Sequence, residues 1–79
     1  MKNEGALLNK NELEFVVFCI ENLALRKNLN ARDVYAALTA KNDLLNSYII
    51  PGYTFLHTQD KEYILNDIEE ALELRGIKI

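Results

Sequence analysis

Apolar residues recur along residues 13–25 at the spacing of one helix face. That face comprises Leu13, Val16, Val17, Ile20 and Ala24, while Phe15, Phe18, Cys19 and Leu25 fill most of the remaining circumference. A helix that is apolar on nearly every side is covered by protein on nearly every side. The pattern therefore predicts a central helix that the later segments wrap, or that a second chain helps to cover.

Cap residues set the bounds of two helices in the first half of the chain. Asn9 or Asn11 can serve as the N-cap of the central helix, and the basic residues 26–27 suit its C-terminus. Asn30 is then expected to cap a short second helix over residues 31–39. The inner face of this second helix is predicted to consist of Val34, Tyr35 and Leu38.

The middle of the chain carries a helical turn and then a break. Asn42 or Asp43 is expected to start the turn. Pro51 disfavours helical backbone at the residue before it, and Pro51-Gly52 matches the centre of a type II turn, in which glycine has a positive φ. Residues 53–56 are predicted to be extended or irregular.

A second long helix is predicted near the C-terminus. Thr58 precedes an acidic first turn and is expected to be its N-cap, and Gly76 is expected to be its C′ residue. The buried seam is predicted to be Ile64, Ile68, Ala71 and Leu72, with Leu65 beside it. The outer face carries acidic residues that form a solvated surface, a surface for a basic partner or a mimic of nucleic acid, and these residues are Glu62, Asp67, Glu69, Glu70 and Glu73.

These elements predict an all-α fold, a small bundle of two long and two short helices with a Pro-Gly turn before the last helix. A single helical domain is expected over residues 11–76, with residues 1–10 as a flexible N-terminal segment and 77–79 as a C-terminal tail. A chain of 79 residues buries only about 60–65% of its unfolded surface and usually needs additional stabilisation. One cysteine and one histidine provide neither an internal disulfide nor a zinc site, so a partner chain is the remaining option.

Net charge and hydropathy bear on whether the protein binds nucleic acid, spans a membrane or is secreted. The net charge of −3 does not favour non-specific binding to nucleic acid. No apolar run approaches the ~20 residues of a membrane span, and the N-terminus is not expected to act as a signal peptide. A lone cysteine is consistent with a reducing compartment, so a cytoplasmic location without membrane association is expected.

Several short motifs resemble those of a family of short uncharacterised bacterial proteins, known only as a domain of unknown function. The motifs are LEFVVFCIEN, YIIP and LHTQ, followed by EYI and DI, and the resemblance covers roughly residues 11–76. It implies a small, intracellular, bacterial helical protein. It also implies a partner or antitoxin-like regulator of an ADP-ribosyltransferase-like protein encoded nearby. No catalytic residues are assigned in the family, so none are transferred to this chain.

Two side chains could carry chemistry, and each also has a structural interpretation. His57 could act as a general base oriented by Asp60 or Glu62, or its ring nitrogen could tie the loop to backbone at the helix start. Cys19 could be a nucleophile only in an exposed, electropositive site, and a small buried hydrophobe is the alternative. An enzyme needs a pocket with convergent polar groups, so we expect a non-enzymatic protein without cofactor or metal.

Aromatic and apolar residues around the Pro-Gly turn are the candidate partner-binding site. They are Tyr48, Ile50, Pro51, Tyr53, Phe55, His57 and Tyr63. Aromatic rings with polar tips are typical of interaction hot spots, but they also serve as core in a small domain. The leading hypothesis is a protein-interaction module that buries aromatic and aliphatic surface from the central helix and from residues 48–55 against a partner. The partner is a cognate protein or a second copy, with a homodimer as the expected form.

The alternative hypothesis is a helix-turn-helix-like DNA-binding regulator. The two predicted helices before residue 40 have suitable spacing, and the basic candidates are Arg26, Lys27, Arg32 and Lys41. A recognition helix presents several basic or amide side chains to the groove, whereas residues 34–38 are apolar. Nucleic acid is therefore not the expected partner.

Overall fold

The computed structural model describes residues 9–40 and 43–79. All regular secondary structure within these residues is helical, which confirms the all-α class. The elements are α1 (Lys10–Lys27), α2 (Ala31–Thr39), a π-helical segment (Leu45–Ile49), α3 (Tyr53–Leu56) and α4 (Lys61–Leu74). The described chain thus has five helical segments where four were predicted.

Asparagine residues cap both ends of helix α1. The Asn9 side chain accepts the backbone N–H of Glu12 at 2.7 Å, and the Glu12 carboxylate accepts the N–H of Asn9 at 3.3 Å. This capping box satisfies two N–H groups that a helix start leaves free, so Asn9 rather than Asn11 is the N-cap. Asn28 ends the helix with a left-handed φ of 59°, immediately after the basic residues 26–27, as predicted.

Of the caps predicted for the later helices, the N-cap of α4 is wrong. Asn30 caps α2 as predicted, but Asp60 and not Thr58 caps α4, accepting an N–H of its first turn at 2.8 Å. The Thr58 hydroxyl instead donates to the carbonyl oxygen of Phe55 at 2.7 Å, which closes the turn after α3. Gly76 follows α4 with a φ of 73°, as expected of a C′ glycine.

The type II turn predicted at Pro51-Gly52 is wrong, and so is the extended or irregular structure predicted for residues 53–56, which form α3. Ile50 is helical with φ −66° and ψ −48°, and Gly52 has φ −83°, so neither the expected backbone at Ile50 nor a positive φ at Gly52 is found. The Gly52 N–H donates to the carbonyl oxygen of Tyr48 at 2.9 Å, which carries the helical path past Pro51. A Cβ on Gly52 would lie 2.8 Å from that same oxygen. Glycine is therefore required for close backbone approach.

Every helical segment contributes to one core. Its buried side chains are Phe15, Val16, Cys19, Leu23, Ala24, Val34, Leu38, Leu44, Leu45, Ile49, Leu56, Ile64, Leu65, Ile68, Ala71 and Leu72. The predicted seam of α4 is buried throughout. Ile77 and Ile79, in the predicted tail, pack against the core as partly buried side chains.

The predicted inner faces of α1 and α2 need correction. Leu13 and Val17 are 52% and 43% exposed, and Tyr35 is 52% exposed. The other segments pack on the side of α1 that carries Phe15 and Cys19, which are buried. The described chain therefore leaves one apolar face of α1 uncovered.

Two further predictions concern the N-terminus and the membrane. Most of the predicted flexible segment, residues 1–8, lies outside the described residues, and α1 already begins at Lys10. Asn42, one of the two residues proposed to start the middle helical turn, also lies outside them. Among the helices of residues 9–40 and 43–79, none combines the length and the apolarity needed to cross a bilayer.

Candidate protein-interaction surface

An apolar groove runs between α1 and α2 on the uncovered side of the bundle. It has a volume of about 340 Å³. Its walls are formed by Val17, Ile20 and Glu21 from α1 and by Ala31, Arg32 and Tyr35 from α2. We call this feature the α1–α2 groove.

The apolar surface extends beyond the groove along α1. Leu13 precedes Val17 by one helical turn, so the two side chains are neighbours on one helix face, and both are exposed. Ile20 continues the same face and is half-buried against the core. Together with Tyr35 these residues form a continuous apolar strip of the kind that marks interaction sites.

One charge of each sign lies in the walls of the α1–α2 groove. Glu21 belongs to the α1 wall and Arg32 to the α2 wall, and both residues are exposed. Neither forms an ion pair or a side-chain hydrogen bond with another residue of the described chain. Both charges are therefore available to a molecule that enters the groove.

The predicted aromatic site divides into an inward and an outward part, and Tyr48 belongs to the inward part. Its hydroxyl donates to the Asp67 carboxylate at 2.5 Å, and the Arg75 guanidinium lies 5.8 Å from the ring centroid. The hydrogen bond to Asp67, and secondly burial, raise the pKa of Tyr48 to about 12. Ile50 also packs against the core. These two side chains hold the π-helical segment to the bundle.

Tyr53 packs against the core as a partly buried side chain, and the exposed ring of His57 stacks on it. Their ring centroids are 4.3 Å apart, and the edge of Phe15 contacts Tyr53 with a centroid distance of 5.4 Å. The Nδ1 atom of His57 lies 2.7 Å from the carbonyl oxygen of Tyr53, so Nδ1 carries the proton and donates it. The ring is thus held by backbone within α3. Neither Asp60 nor Glu62 forms a hydrogen bond to it in the described chain.

Phe55 and Tyr63 form an exposed aromatic pair at the other side of α3. Phe55 is 56% and Tyr63 45% exposed, and the rings meet edge to face at 6.1 Å. Pro51 is exposed as well. The outward part of the predicted site therefore consists of Pro51, Phe55, His57 and Tyr63.

Two of the four residues of the predicted basic patch form ion pairs with α4. Arg26 contacts Glu62 at 2.6 Å and Glu69 at 3.2 Å, and Lys27 contacts Glu69 at 3.5 Å. Arg32 lies in the α1–α2 groove, and Lys41 lies outside the described residues. The same contacts occupy part of the acidic face of α4, which therefore serves to hold α1 to α4.

Neither a metal centre nor a reactive Cys19 is found among the described residues. No group of three or more His, Cys, Asp or Glu side chains within residues 9–40 and 43–79 is placed to hold a metal ion. Cys19 is fully buried, and burial raises the pKa of its thiol to about 12. A thiol in this state is not a nucleophile at neutral pH.

Sequence reasoning predicted that a partner could cover part of α1, but it assigned Leu13, Val17 and Tyr35 to the inner faces of their helices and so did not name them as site residues. The signal was present in the sequence: α1 carries more apolar residues than the short helices of one small chain can cover. A helix that needs cover on every side and receives it on one side leaves an apolar surface. The count of apolar positions on α1 therefore indicated an exposed face, but not which one.

Fold and surface together define a small all-helical protein with an apolar surface groove. The chain belongs to the family described as "Protein of unknown function (DUF3791)", whose profile matches residues 14–75, more than half of the 79-residue chain. This confirms membership in a domain-of-unknown-function family. No curated protein and no solved structure matches the chain significantly.

Proposed function

We propose that this chain is a protein-interaction module of the bacterial cytoplasm that acts by burying the apolar face of α1 and α2 against a protein. The observation that carries the proposal is the α1–α2 groove, with Val17, Tyr35 and the neighbouring Leu13 exposed. The proposed role is non-enzymatic and involves no cofactor.

The residues of the groove are suited to binding. Burial of apolar surface contributes roughly 25 cal/mol per Å², and tyrosine is among the residues that most often dominate interface energetics. Tyr35 extends from α2 with half of its surface exposed, beside the branched side chain of Val17. A partner that covers both side chains gains apolar burial without requiring the core to rearrange.

The exposed aromatic pair is a second contact candidate. Phe55 and Tyr63 are exposed on the segment that the sequence pattern favoured. The family resemblance suggests an ADP-ribosyltransferase-like protein as the partner, with this chain as its antitoxin-like regulator. Self-association is the other form that the interaction can take.

The proposal is tested by affinity capture with four versions of the tagged protein in its own host. Val17→Lys places a charge in the groove, and Phe55→Ala removes half of the aromatic pair. Leu25→Lys is the matched control, because Leu25 is on the same helix, is 79% exposed and does not line the groove. Bound proteins are quantified by mass spectrometry, and the bait itself is distinguished from untagged copies by mass.

We expect one protein, or the untagged copy, to be recovered in near-equal amount with the unmodified chain and with Leu25→Lys. Its recovery should fall at least about tenfold with Val17→Lys, because a buried unpaired charge costs several kcal/mol. A fall with Phe55→Ala alone would move the binding surface to the aromatic pair. Equal recovery with all four versions, or recovery of the bait alone, would contradict the proposal.

A further inference from the structure

We propose that the occupant of the α1–α2 groove is a second copy of this chain. The two copies are related by a two-fold axis, and Glu21 of each copy pairs with Arg32 of the other. This inference rests on the proposed function, because it names the partner of the same surface. Its starting point is the pair of unpartnered, opposite charges in the walls of an otherwise apolar groove.

A two-fold interface must be complementary to itself. The same patch faces its own copy, so a residue that contacts a second residue across the axis is contacted by that residue in return. An apolar centre satisfies this condition at once, because Val17 of each copy can pack against Tyr35 of the other. Charges satisfy it only when both signs are present in the patch, as Glu21 and Arg32 are.

The division of the charges between the two walls fits this arrangement. Glu21 is on α1 and Arg32 is on α2. When the α1 wall of one copy lies against the α2 wall of the other, two Glu21–Arg32 pairs form at once. Neither side chain has to leave a partner within its own described chain to do so.

The net charge of the chain also favours this face for self-association. Two copies with a charge of −3 each repel one another in general. The groove carries one positive and one negative charge, so its local charge is neutral. A strongly basic or strongly acidic partner would be complementary to a groove whose charges all have one sign. A second copy of this chain is complementary to a groove with one charge of each sign.

The test is a charge-reversal experiment read by sedimentation equilibrium. The samples are the unmodified chain, Glu21→Arg, Arg32→Glu, the double variant, and an equimolar mixture of the two single variants. Both positions are exposed, so the variants are expected to fold, which circular dichroism checks. Glu70→Arg is the control, because Glu70 is an exposed acid of α4 outside the groove and the change alters the net charge equally.

We expect the unmodified chain to dimerise and each single reversal to weaken the dimer at least about tenfold, because each places like charges at both contacts. The double variant restores opposite charges and should dimerise again. The mixture of single variants should form a mixed dimer, since every contact in it joins opposite charges. A mixture of Glu70→Arg and Arg32→Glu has the same net charges but joins like charges at one of the two contacts, so it should form less of the mixed dimer.

The outcomes separate this inference from the proposed function. A chain that remains monomeric, while its captured partner is lost with Val17→Lys, overturns the second copy as occupant and leaves the interaction module standing. A dimer that withstands both single reversals overturns the groove as its interface. A monomer that captures nothing overturns both proposals.

Discussion

At the scale of single residues, the Tyr48 side chain links two separate parts of the chain. Its hydroxyl joins the π-helical segment to Asp67 of α4, and Arg75 lies over its ring. A hydrogen bond to a charged acceptor contributes more than a neutral one, roughly 1.5–3 kcal/mol. Tyr48, predicted as a partner-binding residue, thus holds two parts of its own chain together.

Tyr48→Phe should lower the free energy of unfolding by about 1–2 kcal/mol, because the ring is kept and the hydrogen bond to Asp67 is lost. The measurement is urea unfolding followed by circular dichroism at neutral pH and a fixed protein concentration. Tyr63→Phe is the control, since the Tyr63 hydroxyl forms no hydrogen bond among the described residues and its loss at neutral pH should change stability by less than about 0.5 kcal/mol. Equal effects of the two changes would contradict the role assigned to Tyr48.

The same hydroxyl predicts a dependence of stability on alkaline pH. The pKa of Tyr48 is raised from 10.0 to about 12, so the folded chain holds this proton more tightly than the unfolded chain. Its contribution is fully present below pH 10 and is lost as the pH rises from 10 towards 12. We expect the loss to be about 1 kcal/mol, less than the full shift implies, because the partly buried hydroxyl is still screened by water.

The measurement compares the unfolding free energy of the unmodified chain and Tyr48→Phe between pH 9 and the pKa of about 12. The two curves should converge as the pH rises, since the variant lacks the titrating group. Lysine titration affects both proteins equally and cancels in the difference. Parallel curves would show that Tyr48 does not titrate as described.

At the scale of helices and turns, cap residues and buried seams were predictable, and the Pro-Gly segment was not. Asn30 and Gly76 act through contacts within one turn, which the local sequence contains. Gly52 acts through the carbonyl oxygen of Tyr48, four residues before it, along a helical path that a proline argues against. Local preference at Pro51 was overridden because Ile49 and Leu56 are buried on either side of it.

Gly52→Ala should destabilise the chain by about 1–3 kcal/mol, because a Cβ at this position lies 2.8 Å from the Tyr48 carbonyl oxygen, which is backbone and cannot rotate away. The measurement is the midpoint of urea unfolding. Thr54→Ala, an exposed position two residues later, is the control and should stay within about 0.5 kcal/mol. An unchanged midpoint for Gly52→Ala would refute the close approach.

At the scale of the whole molecule, the chain has a core on one side of α1 and an apolar strip on the other. The sequence predicted a helix that is apolar on nearly every side, covered either by the later segments or with the help of a second chain. Which face stays exposed is decided by the packing of α2 and α4, and by the ion pairs of Arg26 and Lys27 with Glu69. Periodicity alone contains no information on these long-range contacts. The candidate interaction surface on α1 and α2 could therefore be derived only from the three-dimensional structure.

Cys19 is the only thiol of the chain, so its alkylation rate can report global unfolding without an introduced cysteine. It is fully buried and has a pKa of about 12, so iodoacetamide should modify it only in molecules that have transiently unfolded. The alkylation rate is measured by intact-mass spectrometry. The rate of the native chain should be lower than the rate in denaturant by a factor that equals the folding equilibrium constant. Fast modification under native conditions would contradict the burial of Cys19.

This thiol also connects folding to assembly. If two copies bind one another through the α1–α2 groove, the unfolded population decreases as the protein is concentrated, because association draws molecules from the open state. The alkylation rate per molecule should then fall with rising protein concentration, and the Glu21→Arg chain should show a constant rate. The alkylation rate of the buried Cys19 would thus report dimerisation through the α1–α2 groove.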